Sequence, residues 1–351
     1  MSNVTPRIGI LGAAGYAAGE ICRLLAPSSS VEITYLASDS HAGKPAHAAF
    51  PGLRAPLPDF ESLSVGRAID SCDFLFLAQS NGVAMGLARE FVAAGKKFVD
   101  VSADFRLKNP AAYPEWYGLE HSAPDLLAEA VYGLTELRRD EVRSARIVAN
   151  PGCYPTASIL GLAPLVRRGW IELDSIVIDA KSGVSGAGRS KMETGYLFSE
   201  ANESVRAYGV AGSHRHTPEI EQAISDLAGS AVRVTFTPHL IPMTRGILST
   251  IVVTPRSGVD EPSLRAAFED DYDSEPFVRF YPPEEFPSTK ATLGANACHI
   301  GLGWDRRTGR VTLISALDNL VKGAAGQAIQ NMNLMLGLPE THALEGQGLW
   351  P

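Results

Sequence analysis

The sequence is poor in cysteine, has no excess of positive charge and contains no long apolar run. Its four cysteines, at 22, 72, 153 and 298, are too few and too scattered for a disulfide framework. None belongs to a Cys-x-x-Cys pair of the kind that holds structural zinc. That usage fits a reducing compartment. Lysine and arginine number 31 against 39 aspartates and glutamates, a net charge of −8. Without a basic stripe to neutralise phosphates or anionic lipid, neither nucleic acid nor a membrane surface is expected as a partner. No stretch of 18 apolar residues occurs, and Met1 to Arg7 leads into a strand-like run without an apolar signal segment. The expectation is a soluble cytoplasmic protein. What the chain does have is 45% hydrophobic residues over 351 positions. That is enough for a sizeable core and, at roughly 100 to 200 residues per domain, for two domains.

Residues 1–150 alternate short β-rich runs with helical patterns. Strands are expected over 7–11, 31–36, 74–78, 98–101 and 147–149, with a helix over 20–26. That order implies an α/β fold, a doubly wound parallel sheet of Rossmann type. Beyond Cys153 the texture changes. A helix over 156–168 precedes β-rich runs at 175–179, 233–237, 247–254, 298–304 and 311–316, separated by long Gly- and Pro-rich connections. These predict a second, mixed α+β domain. The last helix is expected over 319–336, with Asp318 as its N-cap and Gly337 and Pro339 ending it.

Directly after the first strand stands Gly12-Ala13-Ala14-Gly15-Tyr16-Ala17-Ala18-Gly19. Strand, glycine turn and helix are the context in which a backbone approaches a pyrophosphate at a helix N-terminus. After the second strand, Asp39 favours NAD by accepting from a ribose hydroxyl, whereas Ser38, Ser40, His41 and Lys44 favour NADP by donating to a 2′-phosphate. Both remain open from these residues alone.

Cys153 lies between a strand end and a helix start, where the positive end of the helix favours the thiolate. Cys22, Cys72 and Cys298 sit in apolar runs and read as packing residues. Two imidazoles flank Arg215 in His214-Arg215-His216, ahead of Thr217-Pro218, a helix start with Thr217 as cap. In an extended run the two rings point to one side, and either could move a proton near neutral pH. Zinc held by Cys153, His214 and His216 lacks a fourth ligand at a telling spacing.

Asn150-Pro-Gly-Cys-Tyr-Pro-Thr156 resembles the active-site signature of the N-acetyl-γ-glutamyl-phosphate reductases, relatives of aspartate-semialdehyde dehydrogenase. The segments 100–108, 131–137, 181–189, 214–220, 236–246 and 318–327 are similar to that family in the same order. The resemblance implies NADPH-dependent reduction of N-acetyl-γ-glutamyl phosphate through a thioester on Cys153, with His214 as acid/base and His216 as the alternative. It implies cofactor contacts from Gly12, Ala13, Ala14, Gly15, Tyr16, Ser38, Ser182, Gly183, Gly186 and Asn319. Substrate contacts fall to Arg106, Asn150, Ser185, Arg189, His216 and Arg245. On chemical grounds, Asn150 or backbone N–H groups near Cys153 could donate to the oxyanion. No metal is implied. A dinucleotide-binding domain of 1–152 plus 318–351, a catalytic and oligomerisation domain of 153–317, and a homodimer or homotetramer follow by the same analogy. The departures are Gln79-Ser80-Asn81 in place of Leu-Pro-His, Ala14 in place of a hydroxyl residue, and Asp39 in place of Arg. Competing readings are the same chemistry on an aminoadipyl or aspartyl phosphate, a Cys-His thiol hydrolase, and a nucleotide-binding redox sensor.

Overall fold

A computed structural model describes residues 5–190 and 193–350. Two compact units are present. The first comprises Met1–Pro151, Gly188–Ser190 and Ala324–Glu345; the second comprises Gly152–Ala187, Lys191–Gly323 and Gly346–Pro351.

Seven strands build the sheet of the first unit: β1 (Arg7–Leu11), β2 (Glu32–Ala37), β3 (Phe60–Glu61), β4 (Phe74–Leu77), β5 (Lys97–Asp100), β6 (Val131–Tyr132) and β7 (Ile147–Ala149). All pair in parallel in the order β3-β2-β1-β4-β5-β7-β6. Phe74-Leu75-Phe76-Leu77 is buried without alternation, as a parallel strand covered on both faces must be. The two-residue edges β3 and β6 were invisible as patterns, because so short a run carries no period. Strand order reverses between β1 and β4, which opens a crevice at their carboxyl ends.

The second sheet contains β8 (Val177–Ser182), β9 (Arg206–Ala207), β10 (Thr235–Leu240), β11 (Ile247–Val253), β12 (Val278–Phe280), β13 (Cys298–Asp305) and β14 (Arg310–Leu317), in the order β12-β13-β14-β11-β8-β10-β9. It is mixed: β8 with β10 and β12 with β13 run parallel, the rest antiparallel. Strands β8 and β10 lie two to three residues later than their hydrophobic runs suggested. Their inward positions continue through Ser182, which apolarity does not register.

Helix Cys153–Arg167 packs on β11 and β14, and every residue from Tyr154 to Val166 is buried. A helix apolar all round belongs in a core. At about 1.5–3 kcal/mol per buried Leu or Ile, its position cannot slide. It begins three residues earlier than expected, so Cys153 is its first residue. Pro155 is tolerated because N–H groups in the first turn have no intrahelical partner anyway.

The last helix is also corrected. It opens with a wide π turn, Val321–Ala325, before Gly326–Leu336. Asp318 does not cap an α-helix at 319; its carbonyl accepts from Gly323 N–H, and its carboxylate accepts from Leu320 and Gly294 N–H. Among the described residues no helix is long and apolar enough to cross a membrane.

Candidate active site

In the first unit, Gly12 turns the chain at φ +80°, and a Cβ there would lie 2.5 Å from the Ala78 carbonyl oxygen. Gly12 and Ala13 both donate to the Ala37 carbonyl, and Gly15 N–H closes the turn on Gly12. Helix Tyr16–Leu25 then starts with no side chain capping its amides. A bare helix N-terminus behind a glycine turn fits a dinucleotide pyrophosphate. Past β2, the Ser38 hydroxyl meets that of Ser40, which meets His41 Nδ1 at 2.9 Å. The Asp39 carboxylate accepts the Leu63 N–H. Burial, then the charges of Lys44 and Arg189, push the His41 pKa down, so three basic side chains share this corner.

Arg189 was expected at the substrate. Its guanidinium donates to the Ala14 and Ala49 carbonyls, beside the glycine turn. Arg106 and Asn150, also expected at the substrate, have protein partners of their own. Arg106 is buried and donates to the carbonyls of Asn150 and Val101. Asn150 is fully buried, with its amide nitrogen on the Ala324 carbonyl and its amide oxygen accepting from Asn331. Together these bonds brace the backbone and side chain of Asn150. Near them Asp100 is wholly buried, and desolvation together with Asp104 raises its pKa to about 7.

In the second unit, Cys153 is half-buried at the first position of its helix, behind Gly152 as N-cap. Gly323 packs so closely that a Cβ there would be 2.8 Å from that of Cys153. Around the next residue, Tyr154, stand the rings of His214 at 5.7 Å, His216 at 5.9 Å and Phe236 at 5.4 Å. The Tyr154 and Tyr208 hydroxyls are 3.0 Å apart, and burial raises both pKa values, so the phenols stay protonated.

The stretch before Thr217 is a turn rather than an extended run, because Thr217 N–H bonds the His214 carbonyl. The rings of His214 and His216 still meet, with centroids 4.9 Å apart. The expected cap moves one residue: Thr217 already lies in helix Thr217–Ala228, and His216 holds the cap position. His214 Nδ1 accepts the backbone N–H of His216 at 3.0 Å, so the neutral ring carries its proton on Nε2. Burial, then the charge of Arg215, lowers the His214 pKa to about 4. His214 is therefore uncharged at neutral pH.

Ser182, Gly183, Ser185 and Gly186 form a well-tied loop. Gly183, Val184 and Ser185 donate to the carbonyls of Gly246, Met243 and Thr244. Asn319 bridges this loop and the turn before β11, donating to Ser185 Oγ and accepting from Gly246 N–H. Arg245 faces buried Asp318 at 3.6 Å. Sequence reasoning passed over Glu219 and Tyr208. Glu219 lies within the 214–220 segment, but the fold is what brings its carboxylate to Gly152 N–H at 2.8 Å. Among the described residues no group of three or more His, Cys, Asp and Glu side chains is placed to hold a metal ion.

Family profiles described as the semialdehyde dehydrogenase NAD binding domain and the semialdehyde dehydrogenase dimerisation domain match residues 7–145 and 153–319. An N-acetyl-gamma-glutamyl-phosphate reductase of Symbiobacterium thermophilum is 51% identical over 345 residues, covering 98% of this chain and 99% of that protein. One of Moorella thermoacetica is 49% identical over 346 residues, with coverage of 98% and 99%. In fold, the chain resembles aspartate semialdehyde dehydrogenase II of Vibrio cholerae, with a TM-score of 0.72 at 16% identity over 95% of this chain and 99% of that one. It also resembles the Candida albicans aspartate semialdehyde dehydrogenase solved with NADP, with a TM-score of 0.70 at 16% identity over 95% and 99%. The near full-length identity to these reductases, carried by a chain whose glycine turn and helix-borne cysteine fit their chemistry, makes it a member of the N-acetyl-gamma-glutamyl-phosphate reductase family.

Proposed function

We propose that this chain reduces N-acetyl-γ-glutamyl phosphate to N-acetylglutamate 5-semialdehyde and phosphate with NADPH, through a thioester on Cys153, as a step of arginine biosynthesis. The observation that carries this reading is the nucleophile's setting: a half-buried thiol at the first position of a buried helix, whose next residue, Tyr154, packs its ring on that of an uncharged histidine, His214. A nicotinamide dinucleotide, its pyrophosphate held by Gly12 to Gly15, would supply the hydride. The chain's own groups do the rest.

The helix N-terminus favours the Cys153 thiolate, which attacks the acyl carbon. The carbon–oxygen bond to phosphate breaks, and the departing phosphate takes a proton from water. Each tetrahedral centre places negative charge on oxygen. His214 meets it with Nε2–H, a preorganised donor of the kind that contributes about 3 kcal/mol. Since Nδ1 already accepts an N–H bond, His214 works as a donor from Nε2, first to that oxygen and then to the departing thiolate. The Ser38–Ser40–His41 chain, with Lys44 and Arg189 beside it, supports a 2′-phosphate on the cofactor, while Asp39 is engaged with Leu63. The second unit is the self-associating one in this reading, giving a homodimer or homotetramer, and the enzyme works in the cytoplasm.

A phosphate-dependent assay of N-acetylglutamate semialdehyde oxidation tests this with NADP, with NAD, and with Cys153→Ala. NADP should be favoured at least about tenfold, and Cys153→Ala should lose at least about 10³-fold in turnover while still binding the dinucleotide. Turnover of esters without any dinucleotide, or an active Cys153→Ala enzyme, would sink the proposal.

A further inference from the structure

Glu219 stands third in helix Thr217–Ala228, and its side chain is completely buried. From that position a glutamate ordinarily reaches back to the N–H of its own helix cap. Here the cap is His216, whose N–H is already held by His214 Nδ1. Glu219 reaches to a second helix: its Oε1 accepts the N–H of Gly152, the cap of helix Cys153–Arg167, at 2.8 Å. Gly152 has no side chain with which to fix its own conformation. Its carbonyl is taken by Thr156, through both backbone N–H and hydroxyl. Gly152, the residue preceding the nucleophile, is thus clamped on both sides, by its own helix at the carbonyl and by Glu219 at the amide. The same glutamate sits three residues after His216 and five after His214. One buried side chain therefore joins the loop that carries the thiol to the loop that carries the donor histidine.

We propose that Glu219 is a positioning residue for the reduction, with its carboxyl oxygen, acting as acceptor for Gly152 N–H, fixing where Cys153 Sγ stands relative to His214. The inference rests on the thioester reading above. It predicts a loss confined to the chemical step, because a nucleophile misplaced by about 1 Å costs on the order of 10²-fold in rate while substrate binding need not change.

The test compares Glu219→Gln, Glu219→Ala and Glu219→Asp with Cys153→Ser in the assay above. Alkylation of the thiol by iodoacetamide at fixed pH and dinucleotide binding are measured alongside. Glutamine keeps an oxygen at the same reach, so Glu219→Gln should stay within about threefold of wild type. Glu219→Ala should lose about 30- to 100-fold in kcat, with KM within twofold, a slowed alkylation rate and unchanged dinucleotide binding. Glu219→Asp, one methylene short, should fall between them, and it carries the comparison with Glu219→Gln if the alanine variant fails to fold. Equal loss in the glutamine and aspartate variants, or a loss in KM alone, would overturn the proposal. An inactive Cys153→Ser beside fully active Glu219 variants would also overturn it while leaving the thioester reading intact. An active Cys153→Ser would instead remove that reading.

Discussion

Single residues set the limits of this site. Gly12 is one, since its φ of +80° suits glycine and its missing Cβ leaves room for the Ala78 carbonyl at the crevice. Gly12→Ala should cost about 1–3 kcal/mol through left-handed strain and displacement of the β4 end, and weaken NADP binding at least tenfold. Thermal unfolding and calorimetric titration measure the two effects, and unchanged dinucleotide affinity would mean that the turn does not carry the pyrophosphate. His214 supplies the second test at this scale. Its pKa sits near 4, and the uncharged ring is the form that accepts the His216 N–H. The acid limb of kcat/KM should therefore fall near pH 4–5, not near the 6.5 of an ordinary histidine. A limb at 6.5 that disappears in His214→Asn would refute the neutral donor. The glycine turn and Cys153 were legible from the sequence because each is a local pattern of neighbours along the chain. The backbone carbonyls that Arg106, Asn150 and Arg189 reach were not. An arginine that holds backbone carbonyls and one that would hold a carboxylate look the same in a string of letters.

At the level of elements, the nucleophile's helix is held by contacts that its own sequence does not announce. Pro164 lies inside helix Cys153–Arg167 and has no N–H to offer the carbonyl of Leu160 four residues earlier. The Tyr272 hydroxyl, from helix Glu261–Tyr272, donates to that carbonyl at 2.6 Å. Tyr272→Phe would leave a buried carbonyl without its partner. It should cost about 1–3 kcal/mol in denaturant unfolding, with kcat nearly unchanged because the site lies two turns from Cys153. A variant as stable as wild type would show that the proline gap is filled some other way. The helix itself was readable from its apolar residues. Its true start was not, because Pro151-Gly152-Cys153 reads as a loop until Glu219 and Thr156 fix the cap from outside the pattern. The last helix shows the same limit. Its 3.6-residue period was sound from Gly326 onward, but the π turn before it depends on the Asp318 carbonyl holding Gly323 and on the small residues that let Gly323 lie against Cys153.

Across the whole molecule, the change of texture near Cys153 foretold two bodies of different sheet type, whereas the return of Gly188–Ser190 to the first unit could not be foreseen. Three residues have no pattern, and their place shows in the bonds from Arg189 to Ala14 and Ala49 and in its contact with the Phe50 ring. The division has a consequence for pH, because the perturbed groups are unequally distributed. In the second unit, burial lowers His214 and His299 to about 4. Folded, these rings bind fewer protons than unfolded ones between pH 4 and 6.5, so they make that unit more stable as pH rises through this window. In the first unit, Asp100 is raised to about 7, and its folded form binds more protons than its unfolded form between pH 4 and 7. It therefore makes that unit less stable over the same rise, opposing the downward shifts of His121 and His41. One fully displaced proton corresponds to about 1.4 kcal/mol per pH unit. Native-state hydrogen exchange between pH 5 and 6.5, corrected for intrinsic rates, should show protection growing in the strands of the second sheet and staying level or falling in β4, β5 and β7. In Asp100→Asn, whose amide oxygen can still accept the Ser102 N–H, the first unit should turn to a rising slope. If both units gain protection equally in the wild type, the buried carboxylate is not protonated at neutral pH and the opposition does not exist.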